Sequence, residues 1–144
     1  MRTVLACILS AFCSVSALRA DDDAPMTTAQ KLFDAMKAHD GPAATALFVS
    51  GATFSSVDEH GKVSVTPFQK FIDFLTASQN KWLERIWNPK VLQHGTIAVV
   101  WGDYDFHLNN KFSHCGVDSF QLVKINGEWK IQYLIDTRRR QGCE

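Results

Sequence analysis

The sequence has no excess of charge of either sign: 15 Lys and Arg balance 15 Asp and Glu over 144 residues. Nucleic acid selects a basic surface through its phosphates, so this balance argues against it as the main partner. The run Arg138-Arg139-Arg140 is too short to change that and reads as a solvated end of the chain. A phosphate-binding glycine loop, a serine nucleophile elbow and a dinucleotide fingerprint are all missing. No cofactor is expected. Closely spaced His and Cys of the kind that mark zinc are missing as well. His107 and His114 could converge with Asp103 or Asp105, but this is not a metal-ligand pattern, and no metal is expected. His39, His60 and His94 fall in expected turns or helix ends and read as solvated.

The apolar stretch Val4 to Ala17 is too short for a comfortable transmembrane span. It follows Arg2 and runs into small-residue cleavage signals at Val15-Ser16-Ala17 and Leu18-Arg19-Ala20. Residues 1–20 read as a cleavable signal peptide. The mature protein is then expected to be periplasmic or secreted, without membrane contact. Cysteine becomes scarce after cleavage, because Cys7 and Cys13 leave with the leader and only Cys115 and Cys143 remain. An exported chain can hold a disulfide, so a Cys115–Cys143 bridge and two free thiols are both open. Residues 21–26 are acidic, contain Pro25 and show no periodicity, so they read as a disordered lead-in. One domain is expected over residues 27–138, with 139–144 as a tail.

What the chain does have is a long β region, from Ile97 to Arg138. Asn126-Gly127 lies between two alternating apolar runs, and both residues accept positive φ, so it predicts a tight hairpin pairing Ile125 with Glu128. Asn109-Asn110 turns in the same way, pairing Leu108 with Lys111. Counting outward without interruption sets Trp101 opposite Asp118, Asp105 opposite His114, Phe120 opposite Tyr133 and Asp118 opposite Ile135. Side chains alternate between the faces of a strand. One face then carries Ile97, Val99, Trp101, Phe120, Leu122, Trp129, Ile131, Tyr133 and Ile135, turning polar at one end through Asp103, Asp105, His114 and Asp118. An apolar floor with a few polar groups is the usual build of a small-molecule pocket. A bulge or a one-residue slip would move a strand's side chains to the other face. In this register Cys115 lies on the outer face opposite Arg138. That outer face is too apolar for plain solvation, and a partner subunit would cover it.

The upstream segments supply covering helices. Thr27 or Thr28 can cap a helix carrying Ala29, Leu32, Phe33 and Met36. A short helix over 42–48 follows, then strands over 52–57 and 62–65. Thr66 as cap, Pro67 at the first helical position and Gln69 in a capping box open another helix, with Phe68, Phe71, Ile72 and Leu75 on one face. Residues 82–93 are extended, with Pro89 marking an edge or a bulge, which leaves the facing of Glu84, Arg85 and Trp87 undecided.

With these elements in this order, the mature chain resembles the nuclear transport factor 2-like (SnoaL-like, cystatin-like) superfamily. The segments that carry the resemblance are Leu47-Phe48 with Ala52-Thr53-Phe54, the run from Phe112 to Phe120, and Asn126 to Ile131. It looks most like exported bacterial members labelled SnoaL-like or lumazine-binding-like. The resemblance implies an α+β cystatin-like cone: about three helices packed on a strongly bent antiparallel sheet, a pocket inside, and frequent homodimers through the outer sheet face. It implies no single activity, because the fold hosts enzymes and plain binding or scaffold domains alike. Asp118 and His114 are the candidate catalytic pair, since a carboxyl in an apolar pocket gains basicity and a nearby histidine can relay its proton. Trp101, Asp103, Phe120, Tyr133 and Ile135 are the candidate pocket lining. Three readings follow. One is a binding domain for a small apolar or aromatic molecule. The second is a lyase, isomerase or cyclase using the Asp/His pair. The third is a non-catalytic dimeric scaffold.

Overall fold

The computed structural model describes residues 24–143, so the expected signal peptide lies outside the described residues. Helix α1 spans Pro25–Ala38 and buries Ala29, Leu32, Phe33 and Met36 along one stripe. It begins two residues before the expected cap. Pro25 takes the first turn, where an N–H would find no intrahelical acceptor anyway, so the predicted lead-in ends at Ala24. Thr28 does not cap; its hydroxyl donates to the Trp129 carbonyl at 3.4 Å. His39 ends α1 in the left-handed region (φ 55°). Asp40 then caps α2, Gly41–Ala46, by accepting from the Ala43 N–H at 2.9 Å.

Strands β1 (Phe48–Asp58) and β2 (Val63–Pro67) form a hairpin, followed by α3 (Phe68–Ala77). The predicted capping box does not form, because Thr66 and Pro67 stay in β2, paired with Phe54 and Thr53. Gln69 bonds Asp73 instead, at 2.9 Å. Strands β3 (Trp82–His94), β4 (Ile97–Leu108), β5 (Lys111–Ile125) and β6 (Glu128–Arg138) complete one six-stranded sheet in the order β2-β1-β6-β5-β4-β3. All neighbours are antiparallel except β1 and β6. The helices pack on one face of this curled, open sheet, giving the α+β architecture expected of a cystatin-like cone.

Both predicted hairpins form. Asn126-Gly127 (φ 51° and 90°) joins Ile125 to Glu128, and Asn109-Asn110 (φ 52° and 63°) joins Leu108 to Lys111. The registers beyond them differ from simple counting. His107 pairs Phe112 but Phe106 pairs His114, so Ser113 is an extra residue in β5. Leu122 pairs Ile131 but Gln121 pairs Tyr133, so Gln132 is an extra residue in β6. Each bulge inverts the facing of everything beyond it. Phe120 meets Phe33 of α1 with ring centres 5.8 Å apart, so it faces the helices. Its partners Val100 and Leu134 share that concave face and are buried. Trp101, Asp103, Tyr133 and Ile135, predicted to line the pocket, are therefore on the convex face, where Trp101 is 51% exposed.

The core lies between α1, α3 and the concave face. Phe33, Leu75, Val100, Phe120, Leu122, Trp129 and Ile131 are all buried there. Each such side chain contributes about 1.5–3 kcal/mol through its removal from water. Phe74, Phe106 and the ring of His39 surround Trp82, closing one end of the cone with aromatic contacts.

On the convex face Cys115 is bridged to Cys143, with Cα atoms 5.9 Å apart. Arg139, rather than the predicted Arg138, sits opposite Cys115, with reciprocal backbone hydrogen bonds of 2.9 Å. Gly116, beside it, is required by close packing: a Cβ there would stand 1.9 Å from the Thr137 carbonyl oxygen.

Two outcomes follow for stability. Gly116→Ala forces β5 away from β6 and should cost roughly 2–4 kcal/mol in urea unfolding; an unchanged midpoint would contradict the packing. Cys143→Ser opens a bridge with a sequence separation of 28 residues, with a chain-entropy cost of up to about 3–4 kcal/mol. The wild-type protein treated with reductant should then unfold at the same urea concentration as the variant.

Candidate functional site

The concave face is apolar around Phe120 and turns polar toward the Asn109-Asn110 end. Along β5 the inward positions below Phe120 are Asp118, Gly116 and His114. The bulge in β6 brings Asp136 opposite Asp118, where simple counting placed Ile135. Gly102 of β4 is the other partner of Asp118 and adds no side chain; the space above it is filled by Ile86 of β3. Two residues before Ile86, on the same face of β3, comes Glu84.

Glu84 and Asp118 share the concave face, close enough for each to act on the other's ionisation. Asp118 is 1% exposed, and its Oδ2 has no hydrogen-bond partner among the described residues. Burial first, then the neighbouring charges of Glu84 and Asp136, pushes the Asp118 carboxyl well above the ordinary range. Burial likewise pushes Glu84, a half-buried residue at the sheet edge, up to about 7. Both carboxyls therefore favour their protonated forms more than free carboxyls do.

Asp136 is stabilised differently. Burial raises its pKa, and Arg138 opposes this with hydrogen bonds of 3.1 Å from Nε to Oδ1 and 2.8 Å from Nη2 to Oδ2. Burial would weaken the Arg138 charge, but the Asp136 pair outweighs it and holds the guanidinium above its usual pKa. Tyr104, fully buried, donates its hydroxyl to the Thr137 carbonyl at 3.0 Å, crossing the space that Gly116 leaves open. Burial drives its ionisation out of the accessible range.

His114 shares the face with Asp118 but not its surroundings. They stand four positions apart along the strand, a rise of roughly 13 Å. The His114 ring stacks on Phe106 at 5.2 Å and meets Tyr104 edge-on at 5.8 Å. Its Nδ1 hydrogen-bonds Ser113 Oγ at 3.0 Å. Burial, and then Arg138 and Arg140, push it down to about 4, so the ring is neutral at pH 7. Asp118 thus has Glu84 and Asp136 as its neighbours, not His114. Of the remaining predicted residues, Phe120 is core, while Trp101, Asp103, Tyr133 and Ile135 stand on the opposite face. Asp105 also lies on the convex side, buried beneath a two-pronged pair with Arg85, in a recess of about 430 Å³.

A cleft of about 210 Å³ opens along edge strand β3, under α1. Helix α1 supplies Gln30, Phe33, Asp34 and Lys37; β3 supplies Leu83, Glu84, Arg85 and Ile86. Glu84 therefore lines the cleft and also neighbours the buried Asp118, which does not line it. The sequence did carry a signal for it: Glu84 has the parity of Trp82 and Ile86, both packed against the core, and the Pro89 bulge lies beyond all three. Arg138 and Asp136 gave no such signal, because the bulge at Gln132 sets their facing.

No family model matches the sequence, and no curated protein matches it. Solved structures do share the fold. A nuclear transport factor 2-like protein of unknown function from Shewanella baltica is 21% identical, with a TM-score of 0.60 over 81% of this chain and 92% of that one. A protein of unknown function with a cystatin-like fold from Nostoc punctiforme is 15% identical, with a TM-score of 0.66 over 81% and 89%. A Streptomyces avermitilis structure described as a "putative dehydratase from the NTF2-like family" is 12% identical, with a TM-score of 0.64 over 80% and 93%. The chain has the nuclear transport factor 2-like, cystatin-like fold.

The titrations have opposite signs. Glu84 is raised from 4.5 to about 7, so the stability it contributes is complete below 4.5 and is lost as pH rises through 7. Glu84→Gln should gain on wild type, by on the order of 2 kcal/mol, between pH 5 and pH 8. His114 is lowered from 6.5 to about 4, so its contribution is present above 6.5 and is lost as pH falls through 4. His114→Gln should gain on wild type over that acidic range. Thermal unfolding of the three proteins across pH measures both differences, and parallel curves would refute the assigned shifts.

Proposed function

We propose that this chain is an exported small-molecule-binding domain of the SnoaL-like type. Its ligand occupies the cleft between α1 and β3, with the Glu84 carboxyl against it. The observation that carries this reading is a cleft in which apolar Phe33, Leu83 and Ile86 meet the polar Gln30, Asp34, Lys37 and Arg85 around Glu84, whose carboxyl is raised by burial. Convergent polar groups at the end of an apolar recess are what ligand sites are built from. The leader at residues 1–20 and the Cys115–Cys143 bridge support export to the periplasm or beyond. Exposed Trp101 and half-buried Tyr133 and Ile135 support a homodimer through the convex face.

A second reading is a lyase or isomerase, favoured by one observation: Glu84 takes and gives its proton near pH 7. Ionised Glu84 would remove a proton from a carbon beside a carbonyl. In a dehydration the C–H pair becomes the new double bond, the C–O bond breaks, and the now protonated Glu84 returns its proton to the departing oxygen, which leaves as water. The fold shared with a structure described as a dehydratase supports this reading by analogy alone.

The test is to purify the mature protein from an exporting host and analyse its bound small molecules by denaturing mass spectrometry. A single species is expected with wild type. It should be lost from Lys37→Trp, which fills the cleft from an exposed position. Retention in that variant would place the ligand elsewhere. If the species is turned over, Glu84→Gln should lower kcat by about 10²–10⁴ while binding persists.

A further inference from the structure

Four consecutive residues of β3, Leu83 to Ile86, line the cleft. Side chains alternate between the faces of a strand, so four in a row border one space only where it runs along the strand's edge. That edge is open, because β3 is the last strand of the sheet and pairs with β4 alone. The facing wall is Gln30, Phe33, Asp34 and Lys37 of α1, spaced as a single helix face. The ladder shows which main-chain groups face the cleft. Asn109 N–H donates to the Lys81 carbonyl at 2.9 Å. Leu83 opposite His107 and Arg85 opposite Asp105 continue that set in steps of two. In an antiparallel pair, alternate residues turn both N–H and C=O to the neighbouring strand. Leu83 and Arg85 therefore bond to β4, and Glu84 and Ile86 turn their N–H and C=O outward. Neither is bonded on that side by another main-chain group among the described residues.

We propose that the cleft takes a free peptide about three residues long, which adds to the β3 edge in extended form as a short further strand. Glu84 and Ile86 offer two N–H donors and two C=O acceptors, two strand positions apart. An extended main chain carries the matching groups at the same interval. Residues opposite one another in a ladder share a face, so the pairing residues of the peptide turn their side chains toward α1. Phe33 and Ile86 supply apolar contact there. The lining carries two acids, Asp34 and Glu84, and two bases, Lys37 and Arg85, so it favours no net charge and leaves recognition to the main chain. The length follows from the strand. Beyond Trp87 the register breaks across Asn88 and Pro89 before Lys90, and proline and lysine close an edge to pairing. A cleft of about 210 Å³ under α1 has no room for a second sheet, which sets aside edge pairing with another copy of this chain. This inference rests on the reading of the cleft as the ligand site and names the class of ligand.

The experiment titrates the isotope-labelled, mature, oxidised protein with acetyl-Val-Ala-Val-amide and follows its amide resonances. The expected result is binding at millimolar concentration or below, with the Glu84 and Ile86 amides moving downfield as their N–H groups gain acceptors. Three further probes carry one N-methyl group each, on the first, second or third residue of the peptide. Only alternate residues of a strand turn to their neighbour. Methylation should therefore weaken binding by about ten-fold or more at alternate positions, and by less than about two-fold at the others. Lys37→Trp, which fills the cleft, should abolish binding, and the methylation series needs no variant. Equal effects at all three positions, with binding still lost in Lys37→Trp, would overturn main-chain pairing and leave the cleft as a site. Binding untouched by Lys37→Trp would put the peptide elsewhere and overturn the proposal. Self-association in sedimentation that the peptide competes with and Lys37→Trp removes would put a second copy in the cleft and overturn it as well. Failure of the peptide to bind at millimolar concentration would overturn the proposal alone, since the cleft reading is decided by the co-purified species and its loss from Lys37→Trp.

Discussion

Two single-residue insertions in the strand pairing, at Ser113 and Gln132, control what the cone encloses. A sheet alternates its side chains strictly, so one extra residue exchanges inside for outside along the rest of the strand. Without the bulge at Ser113, Trp101 and Val99 would face the helices in place of Val100 and Gly102. Without the bulge at Gln132, Tyr133 and Ile135 would do so in place of Leu134 and Asp136. Packing explains why the bulged register wins. The smaller inward set leaves room for Phe33, Phe71 and Leu75 from the helices, all of them buried. Trp101 and Tyr133 are left on the convex side.

The same register concentrates acid groups. Asp118 and Asp136 meet across β5 and β6, and Glu84 approaches from β3. Three carboxyls in a poorly solvated region repel one another, and each loses hydration. One is compensated by the Arg138 fork. For the other two, burial favours the protonated form. Their surroundings contain little that is adjustable, because Tyr104 is locked onto the Thr137 carbonyl and Gly116 is pressed against the same strand. A rigid frame of this kind holds perturbed groups in place, as binding and proton-transfer sites require.

Stability and site are separated in space. The apolar end of the concave face, with Leu122, Trp129 and Ile131, carries the burial energy. The polar end beside β3 carries the ionisable groups and the cleft. The convex bridge between Cys115 and Cys143 fastens the last residues next to Arg138 and so helps keep that guanidinium over the acid cluster.

Local chemistry was enough to read several features from the sequence. Asn-Gly and Asn-Asn turns fix their hairpins through positive φ, the helical stripes of α1 and α3 follow from spacing, and the order of elements points to the cone. Asp118 and Phe120 were placed inside correctly because their parity on β5 depends on residues within the same strand. Which residues of other strands accompany them is a different kind of fact. It depends on bulges that have no distinctive side chain, since Ser113 and Gln132 look like any other strand residues. Parity within β3 pointed to Glu84, but only the pairing of β3 with β4 and β5 brought it against Asp118. The sequence alone determined the fold and the inward position of one acid. The tertiary structure decided that acid's partner, because registers between strands are set by the packing of the whole sheet against its helices.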